Sequence, residues 1–219
     1  DQARAFESRH DGAVRCDRFE LRAAPEAIPG LAAALMQAPL AEGDGVAVEV
    51  PMVGEGYDPA LVEEAAHGIA EANARLGRPA FALKFRCGGV IADLFPGVEA
   101  LAQAVHASHR AGAPFKGTAG LHHPIRHHHE SVGTEMHGFV NLFGAACLAH
   151  AHDFDADAIA DVLDDQDASH FTLADDFSWR GHRVTASGVH EARQRRALSY
   201  GSCSFDEPRD DLRDLGWMP

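Results

Sequence analysis

The segments VAVEV (46–50), FALKFR (81–86) and PFKGT (114–118) are short and apolar, and each carries a charge near its carboxyl end. Glu49, Lys84 and Lys116 recur at a nearly constant spacing, about the length of a strand, a crossover helix and the return. Between the first two segments lies DPALVEEAAHGIAEANARLG, a helix with Asp58 as N-cap, Pro59 in its first turn and Gly77 at its end. Between the second and third, FPGVEALAQAVHASHRAG has the same character. This alternation points to a parallel sheet, because a crossover is what returns the chain to the same end for the next strand.

The remaining chain extends the pattern. DRFELRA reads as a strand, and APEAIPGLAAALMQAPL as a helix delayed by Pro29. TEMHGFVNLFGAACLAHAH predicts a helix with Phe139, Leu142, Phe143, Ala146 and Cys147 on one face, followed by a shorter acidic helix in DADAIADVLDDQ. HFTLADDFSWRGHRV predicts a hairpin, SGVHEARQRR a last crossover helix, and ALSYGSCS a fifth strand. The tail DEPRDDLRDLGWMP is expected to dock through Leu212, Leu215 and Trp217.

The expectation is one α/β domain over residues 1–219, with a helix and hairpin insertion around 152–187. Parallel strands with crossover helices suit a (β/α) barrel type, complete or incomplete. Five strands fall short of a closed barrel of eight, so the expectation is either an open sheet or an incomplete barrel whose first strands are missing from the chain or supplied by another one.

Thirty-three acidic residues against 19 basic ones give a formal charge of −14, with no basic stripe to follow phosphates, so nucleic acid is not an expected partner. No apolar run reaches membrane-span length, and DQARAFESRH lacks the pattern of a signal peptide. A cytoplasmic protein is the expectation, and a homo-oligomer is compatible with it. Cys16, Cys87, Cys147 and Cys203 are widely spaced and read as reduced thiols. RCGGVIADLFPG lacks the dinucleotide fingerprint G-x-G-x-x-G, and no cofactor is expected.

All but two of the 19 basic residues are arginine. The exceptions, Lys84 and Lys116, sit in the strongest strand signals. In so arginine-rich a chain, a retained lysine marks a position that needs an amine, since guanidinium neither attacks a carbonyl nor releases a proton readily. Strand alternation brings Glu49, Lys84 with Arg86, Lys116 with Thr118, and Ser202 with Ser204 towards the carboxyl rim of the sheet. A carboxylate among these cations would leave one amine with a depressed pKa, able to form a Schiff base or act as a base. If both amines stay charged, they clamp an anion with Arg86. Gly88 and Gly89 would let a ligand approach the backbone.

LKFRCGG followed by FKGTAGLHH and a last strand ending GSCS resembles the final strands of the deoxyribose-phosphate aldolase group of (β/α)8 barrels. The resemblance implies Lys84 as the Schiff-base residue, Lys116 as the partner that lowers its pKa, and Gly201, Ser202 and Ser204 as phosphate contacts. Arg86 and Cys87 depart from the small polar residues expected after the lysine.

The stretch LHHPIRHHHE holds His122, His123, His127, His128 and His129. His122 and His123 follow a strand end and suit general acid/base roles at the rim. Pro124 and Gly133 mark the rest as loop, so neither an H-E-x-x-H helix nor an H-x-H strand pair is expected, and no metal ligand is assigned. Cys203 is expected to be a buried thiol facing away from Ser202 and Ser204; Asp206 and Glu207 either move protons or cap the tail.

The function expected is that of an enzyme acting on a small anionic carbonyl compound by Schiff-base or enolisation chemistry, as an aldolase-like lyase. Two alternatives stand beside it. One is a metal-dependent hydrolase or lyase using the histidine-rich loop; the other is a non-catalytic partial barrel that binds a metabolite.

Overall fold

The computed structural model describes residues 2–219. Helix α1 (Gln2–Arg9) leads to β1 (Arg18–Arg22), a 3-10 turn over Pro25–Gly30 and α2 (Leu31–Met36). Then come β2 (Gly45–Glu49), α3 (Pro59–Leu76), β3 (Phe81–Arg86), α4 (Val98–Ala111) and β4 (Phe115–Thr118). The expected boundaries of α3 follow from local chemistry: the Asp58 carboxylate accepts from Ala60 N at 2.9 Å, and Gly77 takes φ +69° to end the helix.

After β4 the chain forms a small hairpin, β5 (His127–His129) and β6 (Thr134–Met136), where a loop and the start of a helix were expected. Helix α5 begins at Phe139 and runs to His152. Its burial is not confined to one face: Val140, Leu142 and the whole run from Ala145 to Ala149 are shielded. The reason is its position, packed between the last strand, Ala197–Gly201, and neighbouring helices and strands rather than on an outer surface.

Next follow α6 (Ala156–Asp164) and three strands, β7 (Phe171–Leu173), β8 (Phe177–Trp179) and β9 (His182–Val184), forming an antiparallel meander in place of a single hairpin. Buried Asp165 anchors the meander, accepting from Trp179 Nε1 at 2.8 Å and pairing with Arg180 at 3.0 Å. Helix α7 (Ala186–Arg195) then crosses to β10 (Ala197–Gly201), and α8 (Asp206–Asp214) closes the chain. Leu212 and Trp217 pack on the core as expected, whereas Leu215, 37% exposed, does not.

The main sheet is five-stranded and parallel throughout, in the order β1-β2-β3-β4-β10. Every crossover steps in the same direction, so right-handed connections place the crossover helices on one face. Val46, Val48, Leu83, Phe85 and Phe115 point towards those helices and belong to the core. Ala47 and Ala82, at 8% and 7% exposure, point the other way and are not part of it. That second face carries the charges.

Candidate functional site

On the second face, strand register aligns Arg22, Glu49, Lys84, Lys116 and Ser199 in one row across all five strands. Lys84 Nζ lies 3.0 Å from Glu49 Oε2 and 2.5 Å from Glu20 Oε2. The other oxygen of Glu20 pairs with Lys116. Since neighbouring strands are about 4.8 Å apart, β1 and β4 would stand about 14 Å apart in a flat sheet, more than these two side chains span. The Glu20–Lys116 pair therefore requires the sheet to curl around its charged face.

Towards the amino ends of the strands lies a half-open cavity of about 430 Å³, with Arg18, Glu20, Ala47, Ala82, Lys116 and Ser199 in its lining, whereas Lys84 and Glu49 lie outside it. Small side chains leave that space, and its size suits a small metabolite.

Burial alone would lower the Lys84 pKa. Hydrogen bonds to Glu20 and Glu49, with their charges, outweigh burial and hold the ammonium above the ordinary lysine range. The depressed amine expected at this position is therefore absent at Lys84: two carboxylates reach it, where one was foreseen. Glu20 is pulled below the usual carboxylate range by hydrogen bonds from Lys116 and Lys84. Glu20 itself was missed in the sequence. Its signal was the alternation in RFELR, which puts the carboxylate on the same face as Arg18 and Arg22, but nothing local reveals that β1 curls towards β4.

Arg86, Thr118 and Gly201 lie one pleat nearer the rim, in register with one another. Arg86 is exposed, donates from Nε to Gly88 O at 3.1 Å, and has no carboxylate partner among the described residues. Gly88 and Gly89 serve packing: a Cβ on Gly88 would sit 2.4 Å from the Phe95 ring, and one on Gly89 2.5 Å from Leu94. Ser202 and Ser204 lie beyond the end of β10, where Ser204 N donates to Ser202 Oγ and Glu207 N donates to Ser204 Oγ. They support the start of α8.

His122 and His123 are both clamped by that helix. Nδ1 of His122 lies 2.8 Å from Glu207 Oε2, and Nδ1 of His123 2.5 Å from Asp211 Oδ2. Glu207 and Asp211 are one helical turn apart, so adjacent histidines meet successive carboxylates on one face of α8. Cys203 is exposed, against expectation, because β10 ends at Gly201 and strand alternation does not extend to it. Its Sγ is 3.7 Å from Nε2 and 3.9 Å from Nδ1 of His122. Such nearly equal distances put the sulfur off line from either nitrogen lone pair, a poor arrangement for proton transfer.

A third group lies on the hairpin. One ring nitrogen from each of His123, His127 and His129 falls within 4.8 Å of the others. Because His127–His129 form a strand, the first and last of them are an H-x-H pair after all, with His128 as the middle residue.

No protein-family model, curated protein or solved structure matches the chain. Among the described residues, no helix is long and apolar enough to cross a membrane.

Proposed function

We propose that the charged face of the sheet is the active site of an enzyme that enolises a small anionic carbonyl compound, on a fold of incomplete (β/α) barrel type. The carrying observation is Lys84 and Lys116 side by side in register, both paired with Glu20, with Glu49 on Lys84. Sequential strand order with crossover helices on one face supports that reading of the fold, since barrels are wound in this way.

In this reading the anionic group of the substrate displaces Glu20, the more exposed of the two carboxylates. Lys84 donates to the carbonyl oxygen, and Glu49 takes the proton from the adjacent carbon. The electron pair of that C–H bond moves into the carbon-carbon bond of the enolate, and its oxygen is stabilised by the neighbouring ammonium groups. A charged Lys84 favours this course over imine formation, which needs a neutral amine. Arg86 is free to hold a second charged group at the rim.

Exchange of α-protons for deuterium, followed by NMR over a panel of phosphorylated and carboxylated aldehydes and ketones, tests the proposal. Exchange is expected with at least one compound, falling by about 100-fold or more in Lys84→Met and Glu49→Gln. Absence of exchange across the panel overturns the enolisation reading. Borohydride-dependent modification of Lys84 with a carbonyl compound would replace it with the Schiff-base course.

A further inference from the structure

We propose that His123, His127 and His129 bind one divalent transition-metal ion of the zinc class through their Nε2 atoms, with a fourth position open to solvent. The site lies on a different segment from the lysine row and does not depend on its function.

The first support is an unmet demand for partners. Nε2 of His123 and Nε2 of His127 are shielded from solvent and have no hydrogen-bond partner in the protein. Leaving such a group unsatisfied costs about 1–3 kcal/mol, and here two lie within one cluster. The rings crowd together, edge-to-face for His123 with His127 and for His127 with His129, with centroids 4.3 Å apart for His123 and His127 and 5.7 Å for each of these with His129. A bound cation would satisfy both nitrogens at once.

The second support is the way the opposite side of each ring is held. Nδ1 lies 2.5 Å from Asp211 Oδ2 in His123, 3.1 Å from the Ile125 carbonyl in His127, and 2.8 Å from Ser131 Oγ in His129. A proton on each Nδ1 can be donated to the oxygen opposite, which leaves the Nε2 lone pair for a metal. Carboxylate, backbone carbonyl and hydroxyl are the outer partners that orient metal-binding imidazoles.

Geometry is the third. Tetrahedral zinc with bonds of about 2.0–2.1 Å needs nitrogens about 3.4 Å apart, so the present limit of 4.8 Å closes with modest ring rotation. Alternation on β5 puts His127 and His129 on one side, while His128 turns away, exposed, to pair with Glu135 at 3.2 Å. A donor set of three imidazoles suits zinc, cobalt, nickel or copper better than magnesium or calcium.

Beside the cluster lies an open pocket of about 260 Å³ lined by His123, Pro124, Ile125, His127, Asp211 and Asp214. Three histidines and a free fourth position form the arrangement in which zinc binds and acidifies water, so a bound hydroxide would face the ligand entering this pocket. The substrate class that follows is one cleaved by a metal-bound hydroxide.

The test uses full-length protein without a polyhistidine tag, stripped with chelator and titrated with zinc and with cobalt. One ion per chain is expected, with visible cobalt bands of tetrahedral intensity and a zinc-dependent rise in melting temperature. His123→Ala, His127→Ala and His129→Ala should each weaken binding by more than about 100-fold, and Asp211→Asn by about 10–100-fold. His128→Ala should bind as the parent does. Melting without metal checks that each variant is folded, and Asp211→Asn keeps all three ligands should an alanine variant fail to fold. Binding below one equivalent, or binding unchanged by the histidine and Asp211 variants, overturns the assignment.

Discussion

The two polar clusters differ in how far the protein satisfies them. In the lysine row, Lys84 meets Glu20 and Glu49, and Lys116 meets Glu20. In the histidine trio, each Nδ1 has a partner, yet two buried Nε2 atoms have none. The first cluster is complete as folded, and a ligand must compete with an internal carboxylate. The second leaves its coordinating atoms unpaired. A cluster that has met its own demand contributes to stability, whereas one that has not is held in place by its surroundings.

Acid separates the segments most widely. His137, buried where the hairpin meets α5, donates from Nε2 to the Pro96 carbonyl at 2.8 Å, and burial lowers its pKa to about 4 from 6.5. The unfolded chain then binds the extra proton first, so this contribution is fully present above pH 6.5 and is lost as pH falls through about 4. A loss of about 3 kcal/mol is expected over that window, read by denaturant unfolding at successive pH values. His137→Gln should flatten it; a slope unchanged in the variant would assign the loss elsewhere.

The lysine row responds at the acid edge of that window and far above it. The lowered Glu20 pKa gives stability present above the unfolded value of 4.5 and lost as pH drops through the lower folded value. The raised Lys84 pKa gives stability present below the unfolded value of 10.5 and lost as pH rises through the higher folded value. Lys84→Met, which takes a partner from Glu49 at only 12% side-chain exposure, should cost about 2 kcal/mol at neutral pH. Glu49→Gln in the same background should recover part of it, showing coupling in a double-mutant cycle. Additive effects would mean that the pair contributes little.

The smallest effect belongs to the trio. His127→Ala in metal-free buffer should change stability by less than about 1 kcal/mol, because losing the Nδ1 bond to the Ile125 carbonyl is offset by removing a buried, unpaired Nε2. A loss as large as that of Lys84→Met would erase the contrast between the clusters.

How much of this was legible depends on the range of the cause. The α3 caps, the strands carrying Glu49, Lys84 and Lys116, and the crossover order rest on local periodicity and on the length of a strand–helix–strand unit. Strand register also follows from alternation, which is why Lys84 and Lys116 could be placed as neighbours. Gly88 and Gly89 could not be read this way: their constraint is a close approach of Phe95 and Leu94, and glycine in a motif looks the same whether a ligand or a side chain is near. The histidine hairpin was obscured by Pro124 and Gly133, which argue correctly against a helix but do not forbid three strand residues between them.

By itself, then, the sequence determined a parallel α/β sheet, its helix ends and the face on which the two lysines lie, since each depends on residues a few positions apart. Tertiary structure decided which carboxylates reach those lysines and which histidine nitrogens are left unpaired. Both outcomes turn on distant segments: the curl that carries Glu20 of β1 to Lys116 of β4, and the docking of α8 that brings Asp211 to His123. Contacts closed by the global path of the chain leave no periodic trace in it.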